Sequence, residues 1–232
     1  MKAAPFEYVA PATLDDAVGA LAGEGGDAKV LAGGQSLIPM LALRLARPTL
    51  LVDINHIAGL DGLRESSGTL EIGALVRQRR LERWAASRSD LFAEVLRHVA
   101  HPPIRNRGTV VGNVVHADPA SELPALLLCL EGAVVARGPR GERTLAADQL
   151  YRAPLTPSLA PDEVATAVRF ALPPAGAGWG FAEVSRRHGD FALVGAVAVL
   201  ARLAGGPVTR ARLAFFGAGG TPMRGVAAER IL

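Results

Sequence analysis

Two short segments of the chain combine glycines, hydroxyls and amides at spacings suited to holding an anion. The first is Ala32-Gly33-Gly34-Gln35-Ser36-Leu37, placed between the apolar run Lys29-Val30-Leu31-Ala32 and an apolar segment from Leu37 to Leu45. Two adjacent glycines allow positive φ and let a backbone approach a ligand closely. The free N–H groups at a helix start converge on one point, and the helix dipole favours negative charge there. Ser36 is placed to cap such a helix or to donate its hydroxyl. No Gly-Lys-Ser/Thr follows, so this is no P-loop, and the spacing is not that of G-x-G-x-x-G. Alone, a Gly-Gly turn before a helix is most often only a turn. The second segment is Arg105-Asn106-Arg107-Gly108-Thr109-Val110-Val111-Gly112-Asn113, followed by Val114-Val115-His116-Ala117-Asp118-Pro119-Ala120-Ser121-Glu122. It reads as a strand ending in a Gly-Asn turn that offers a Thr hydroxyl and an Asn amide. A pyrophosphate, with two charges and many acceptor oxygens, suits donors supplied by two such turns. The carboxylates of Asp118 and Glu122 would suit ribose hydroxyls.

The elements that must position these segments are legible in the periodicity. Thr13-Leu14-Asp15-Asp16 opens a helix with a capping-box-like pattern, Asp standing in for Glu. Lys29 to Ala32 reads as a strand, Leu37 to Leu45 as a helix stopped before Pro48, and Leu50 to Ile54 as a strand, which together imply a small parallel sheet. Leu60 to Arg64 and Thr69 to Ile72 flank Ser66-Ser67-Gly68 as a hairpin. Helices are expected over Val76 to Ala85, Asp90 to His98 and Ser121 to Leu130. Strands are expected at Ala133 to Arg137, Arg143 to Ala146 and Val164 to Leu172, with a proline-rich loop from Pro154 to Pro161. Pro173-Pro174-Ala175-Gly176-Ala177-Gly178 reads as a linker. Beyond it Gly180 to Ser185, Ala192 to Leu203 and Val208 to Phe216 read as three strands, and Ala227 to Leu232 as the start of a helix. The expected organisation is 1–56, 57–174 and 179–232.

Composition narrows the function classes. The chain has 232 residues, half of them hydrophobic, a net charge of only +3, and no block of like charge. Lys2 and Lys29 are the only lysines, and the arginines form no basic stripe, so a nucleic-acid role is not expected. The apolar runs are too short to span a bilayer. Residues 1–13 lack a signal-peptide layout, so a cytoplasmic protein is expected. The single cysteine, Cys129, lies in the apolar run Leu126 to Leu130 and reads as a core thiol. One cysteine excludes a disulfide framework, a cysteine-rich zinc site and a cysteine-ligated iron–sulfur cluster within these residues.

Three motifs in the same order and spacing carry a family resemblance: Ala32 to Pro39, Thr109 to Asn113 with His116 to Ala120, and Ser185-Arg186-Arg187-His188-Gly189-Asp190-Phe191-Ala192. They resemble the FAD-binding medium subunit of the carbon monoxide dehydrogenase and xanthine dehydrogenase (molybdenum hydroxylase) family, over essentially the whole chain. The resemblance implies an α+β fold of the vanillyl-alcohol oxidase type. Two α+β subdomains would clasp FAD, with a C-terminal antiparallel-sheet domain beside them. It implies that Leu31, Ala32, Gly33, Gly34, Gln35, Ser36, Leu37 and Ile38, with Thr109, Val110, Val111, Gly112 and Asn113, surround the pyrophosphate. Asp118 and Glu122 would contact the cofactor, and Asp190 would lie on the flavin side. No catalytic side chain and no metal ligand are expected. The partners implied are a large molybdenum-binding subunit and a small subunit carrying 2Fe–2S clusters, as a dimer of heterotrimers. Electrons would pass from those clusters through FAD to an external acceptor. Gln35, rather than His or Cys, in the first motif implies non-covalent FAD.

The departures from the family pattern set further expectations. Val111 stands where relatives carry the first Gly of a Gly-Gly-Asn turn, and a β-branched residue resists positive φ. Val99 replaces an aromatic found near the flavin in xanthine dehydrogenase relatives. The family continues beyond position 232, so the last sheet is expected to be incomplete, with an exposed apolar face. Arg77, Arg79, Arg80 and Arg83 read as a solvated helix face, Trp84 and Trp179 as packing residues, and His116 as a neighbour of the cofactor. The other readings are a stand-alone FAD-dependent oxidoreductase of the same fold and a truncated non-catalytic scaffold.

Overall fold

A computed structural model describes residues 2–203 and 206–232. The first region contains β1 (Glu7–Val9), α1 (Leu14–Gly23), β2 (Ala28–Leu31), α2 (Leu37–Ala42) and β3 (Leu50–Asp53). Its sheet has the order β1-β3-β2, and both pairings are parallel. The expected parallel sheet is therefore present, with an additional edge strand at Glu7–Val9. Thr13 caps α1: its Oγ1 accepts from the Asp16 N–H at 3.1 Å and donates to Asp16 Oδ2 at 2.6 Å. Ala17, Val18 and Leu21 recur at helical spacing and are buried against β2 and β3. Thr13→Ala is expected to destabilise the protein by about 1 kcal/mol, measured by urea denaturation, because it orphans a first-turn N–H. The second apolar helix ends at Ala42, short of the expected Leu45, and Arg44 takes a positive φ of 58°.

The second region follows with β4 (Leu63–Ser66), β5 (Thr69–Gly73), α3 (Gln78–Ala85), α4 (Asp90–His98), α5 (Pro102–Arg107), α6 (Val110–His116) and α7 (Glu122–Cys129). It continues through β6 (Ala133–Gly138), β7 (Gly141–Ala146), α8 (Ala147–Leu150), β8 (Tyr151–Ala153), β9 (Thr156–Pro157) and β10 (Val164–Ala171). Its antiparallel sheet has the order β4-β5-β10-β6-β7, so the last strand closes the centre between two hairpins. The main core packs α3, α4, α6 and α7 together with this sheet. Phe92 sits at its middle, edge-on to Trp84 and Phe170 with ring centroids 5.9 and 5.2 Å apart. Such aromatic edges add roughly 0.5–1.5 kcal/mol per pair beyond area burial. Trp84 is thus a packing residue, whereas Trp179 is 41% exposed. Cys129 is fully buried, and burial, with the nearby Glu229 charge, pushes its thiol up to about 12.

The third region holds β11 (Gly178–Ser185), β12 (Ala192–Arg202), β13 (Val208–Phe216), β14 (Met223–Arg224) and α9 (Val226–Glu229). The sheet runs β11-β12-β13-β14, one short strand more than the three expected. Its inner side packs on α7 through Ala192, Val197, Ala214 and Phe216. Val184, Leu193, Val194 and Leu200 on β11 and β12 stand exposed, as expected of an uncovered apolar face. No helix among the described residues is long and apolar enough to cross a membrane.

Candidate functional site

The second chemical segment is not a strand and turn. Pro102 and Pro103 open α5, Gly108 ends it, and Thr109 caps α6. Proline suits the first turn of a helix, where its missing N–H costs nothing. Thr109 Oγ1 accepts from the Gly112 N–H at 3.1 Å. Val111 therefore lies inside a helix, where a valine needs no positive φ, and its departure from the family pattern strains nothing. The residue that does take the left-handed conformation is Ala117, at φ 57°, where α6 ends. Asn113 Oδ1 accepts from the Ser121 hydroxyl at 2.8 Å, which ties α6 to the start of α7. Ser121 is thus spent on this bond and makes no side-chain cap to α7, and Ser36 likewise makes none to α2.

The two segments meet backbone to backbone. A Cβ added at Gly33 would lie 2.7 Å from the Arg107 carbonyl oxygen and 2.9 Å from Gly108 Cα and Thr109 N. Gly34 takes φ +72°, which only glycine adopts freely. Both segments open onto one cleft of about 830 Å³, within the roughly 300–1,000 Å³ of small-molecule and cofactor sites. Ala32, Gly33, Gly34, Gln35, Ser36 and Leu37 line it on one side, and Thr109, Val111, Gly112 and Asn113 on the other. Asp118, Glu122 and Asp190 also line it. Of the remaining expected site residues, Leu31 lies behind the Gly34 turn, Ile38 is 48% exposed on α2, and Val110 is fully buried in the core; none of the three lines the cleft.

The C-terminal region reaches the same cleft. Gly189, at φ +87°, lies so close to the His101 ring that a Cβ there would be 2.4 Å from His101 Cε1. That contact brings Asp190 and Phe191 to the wall of the cleft. Phe191 is 77% exposed, an aromatic ring left open at the site. Sequence reasoning passes over it, although it sits inside the third motif. His101, Lys29 and the Leu155–Pro157 stretch also line the cleft. No residue type or spacing marks these, because only the fold brings them there. Val99 lines the cleft as well, as an aliphatic rather than an aromatic wall.

Charge in the site follows burial. Glu122, at the first turn of α7, is 6% exposed. Burial pushes its carboxyl up to about 8, against its own backbone N–H, and the charges of Glu183 and Asp118 add to the rise. Burial also holds His116 below the usual imidazole range, against the opposing pull of Asp118. The buried Gln78 Oε1, beside Gly108, has no hydrogen-bond partner among the described residues. The wall therefore offers backbone N–H groups, hydroxyls and amides, together with the buried Glu122 carboxyl, which burial favours in its protonated form. This donor set fits a dinucleotide carrying a pyrophosphate and ribose hydroxyls. Among the described residues no three His, Cys, Asp or Glu side chains are placed to hold a metal ion.

Comparison with known proteins agrees with this geometry. Residues 4–173 match the family described as the FAD binding domain in molybdopterin dehydrogenase. The chain belongs to this family. Residues 179–232 match the carbon monoxide dehydrogenase flavoprotein C-terminal domain. The chain is 42% identical to the 6-hydroxypseudooxynicotine dehydrogenase complex subunit alpha of Paenarthrobacter nicotinovorans, over 100% of this chain and 79% of that protein. It is 38% identical to the carbon monoxide dehydrogenase medium chain of Hydrogenophaga pseudoflava, over 94% of this chain and 77% of that one. Among solved structures, a chain of carbon monoxide dehydrogenase from Hydrogenophaga pseudoflava superposes with a TM-score of 0.95 at 38% identity, covering 100% of this chain and 81% of that chain. A chain of quinoline 2-oxidoreductase from Pseudomonas putida 86 gives 0.92 at 35% identity, covering 100% and 81%. The α+β architecture is thus the FAD-binding fold of this family with its antiparallel C-terminal domain. The protein is a flavoprotein subunit of an oxidoreductase complex of the molybdenum hydroxylase type.

Proposed function

We propose that this chain holds FAD non-covalently in the cleft and carries electrons from iron–sulfur clusters of a small partner subunit to an external acceptor. A large molybdenum-binding subunit completes the assembly, as a dimer of heterotrimers in the cytoplasm. The observation that carries the site is the contact of Gly33 with the Arg107–Thr109 backbone, which opens both motif segments onto one cleft. Bound there, FAD supplies the redox chemistry, taking electrons one at a time and releasing them in pairs.

The residues divide that work by their chemistry. The Ala32–Leu37 and Thr109–Asn113 segments hold the pyrophosphate through those backbone N–H groups that the helices leave free, and the Thr109 hydroxyl keeps its segment helical by capping α6. Asp118 and Glu122 meet the ribose hydroxyls. Glu122, protonated across the neutral range, is able to donate as well as accept. We assign Asp190 to the flavin side of the cleft, whose wall also includes Phe191 and Val99. We divide the chain into three units, 1–56, 57–174 and 179–232, a reading supported by its three larger sheets, and residues from each line the cleft.

The purified protein tests this directly. Flavin absorption close to one equivalent per chain is expected, with FAD released by denaturation without proteolysis. A folded, colourless protein that takes up no added FAD would overturn the reading.

A further inference from the structure

We propose that Arg77 is the positioning residue of the cofactor site, setting the distance between its two binding segments. This deepens the FAD reading and rests on it. Arg77 immediately precedes α3 and does not line the cleft. Its guanidinium donates through Nη1 to the Arg107 carbonyl at 2.6 Å and through Nη2 to Asn55 Oδ1 at 2.7 Å. Asn55 in turn donates through Nδ2 to the Ala32 carbonyl at 2.9 Å and to Asp53 Oδ1 at 2.6 Å. Asp53 is anchored in β3 and accepts from the Tyr8 hydroxyl at 2.7 Å.

One guanidinium thus joins the backbone of the first segment, through Asn55, to the backbone of the second. The carbonyl it holds, that of Arg107, is the one against which Gly33 lies. The main chain on either side of Arg77 fixes the second segment as well: the Gln78 N–H donates to Gly108 O at 2.8 Å, and Val110 N–H to Val76 O at 3.0 Å. Burial penalises the charge of Asp53, but its bonds from Asn55 and Tyr8 hold the carboxyl below the usual range, so the far end of the strut stays an anion at neutral pH. Two acceptors met by one planar fork fix both distance and angle, which a point charge cannot do. Arg77 therefore acts on the cofactor through Ala32 and the Arg107–Thr109 backbone, not by touching it.

The test titrates FAD into the full protein, stripped of flavin, as wild type, Arg77→Met, Arg77→Lys, Asn55→Ala and the Met/Ala double variant, well below the melting temperature. Arg77→Met is expected to raise the FAD dissociation constant roughly 10- to 100-fold. Arg77→Lys should leave most of that loss in place, because it keeps the charge and loses the fork. The double variant should bind no worse than the weaker single one, since either change breaks the same series of bonds. Three results would overturn the proposal: a lowered melting temperature with an unchanged FAD constant, full rescue by lysine, or losses that simply add. If Arg77→Met does not fold, Arg77→Lys and Asn55→Ala carry the same comparison. A wild-type protein that binds no FAD sinks the flavin reading itself, before any variant is compared.

Discussion

Gly33→Ala is expected to cost the protein its cofactor. The added Cβ would meet the Arg107 carbonyl oxygen at 2.7 Å and Thr109 N at 2.9 Å. Both neighbours are backbone held in place by further hydrogen bonds, so neither yields as the end of a flexible side chain would. The two segments must move apart, and donors set for one pyrophosphate no longer converge. The FAD dissociation constant should rise by at least about 100-fold, since several charge-assisted hydrogen bonds lose their geometry together. The fold should lose about 1–3 kcal/mol, the usual cost of overpacking. Gly19→Ala is the matched control. Gly19 lies inside α1 with nothing within 4 Å of an added Cβ. Alanine there should stabilise by about 0.5–1 kcal/mol and leave FAD binding alone. Titration with FAD and urea denaturation of both variants decide the matter; normal FAD binding by Gly33→Ala would show that the contact does not set the site.

The second large effect is a pH dependence of the cofactor-free protein traceable to Glu122. Its carboxyl titrates at about 8 when folded and at the ordinary value near 4.5 when unfolded. Below both values the proton is bound in either state, and the buried neutral acid costs nothing extra. As pH rises between them the unfolded chain gives up its proton while the folded chain keeps it, so stability falls across that window and levels off above about 8. The full loss is about 5 kcal/mol. Glu122→Gln keeps the shape and never ionises, so it should lack this slope and be the more stable form in alkali. Urea denaturation at about pH 5 and about pH 8.5 reads the difference. Parallel curves for wild type and variant would mean that Glu122 is already ionised in the folded state.

The first segment is plain in the sequence because its physics is local. Gly33 and Gly34 interrupt an apolar strand and helix, and a break of that kind calls for a turn that only glycine makes without strain. The second segment misleads for an equally local reason. Thr109-Val110-Val111 and Val114-Val115 are β-branched and favour strands. What makes them a helix is the Thr109 cap, the end of α6 at Ala117, and the burial of Val110, Val111 and Val114 in the core. Tertiary packing there outweighs propensity. The edge strand at Glu7–Val9 leaves no trace because its three residues are all exposed and show no alternation. Arg77 looks in sequence like one of several arginines on a solvated helix. Arg79 and Arg80 do lie at the surface, paired with the half-buried Glu82 and the exposed Asp61. Arg77 differs only in standing one residue before the helix, where its side chain turns back towards Asn55. That distinction belongs to the fold, as does the arrival of Phe191 at the cleft.

The wall of that cleft is drawn from stretches of chain that are remote in sequence, from Leu21 through Val99 and Leu155 to Phe191. Anything seated there touches all of them at once and so favours the folded arrangement over the open chain. A ligand at 100 times its dissociation constant adds about 2.7 kcal/mol to the folded state. A difference of about 1–2 kcal/mol is enough to change the steady-state abundance of a protein several-fold through chaperones and proteases. FAD seated in this cleft would in this way act on the stability of the subunit as well as on its chemistry.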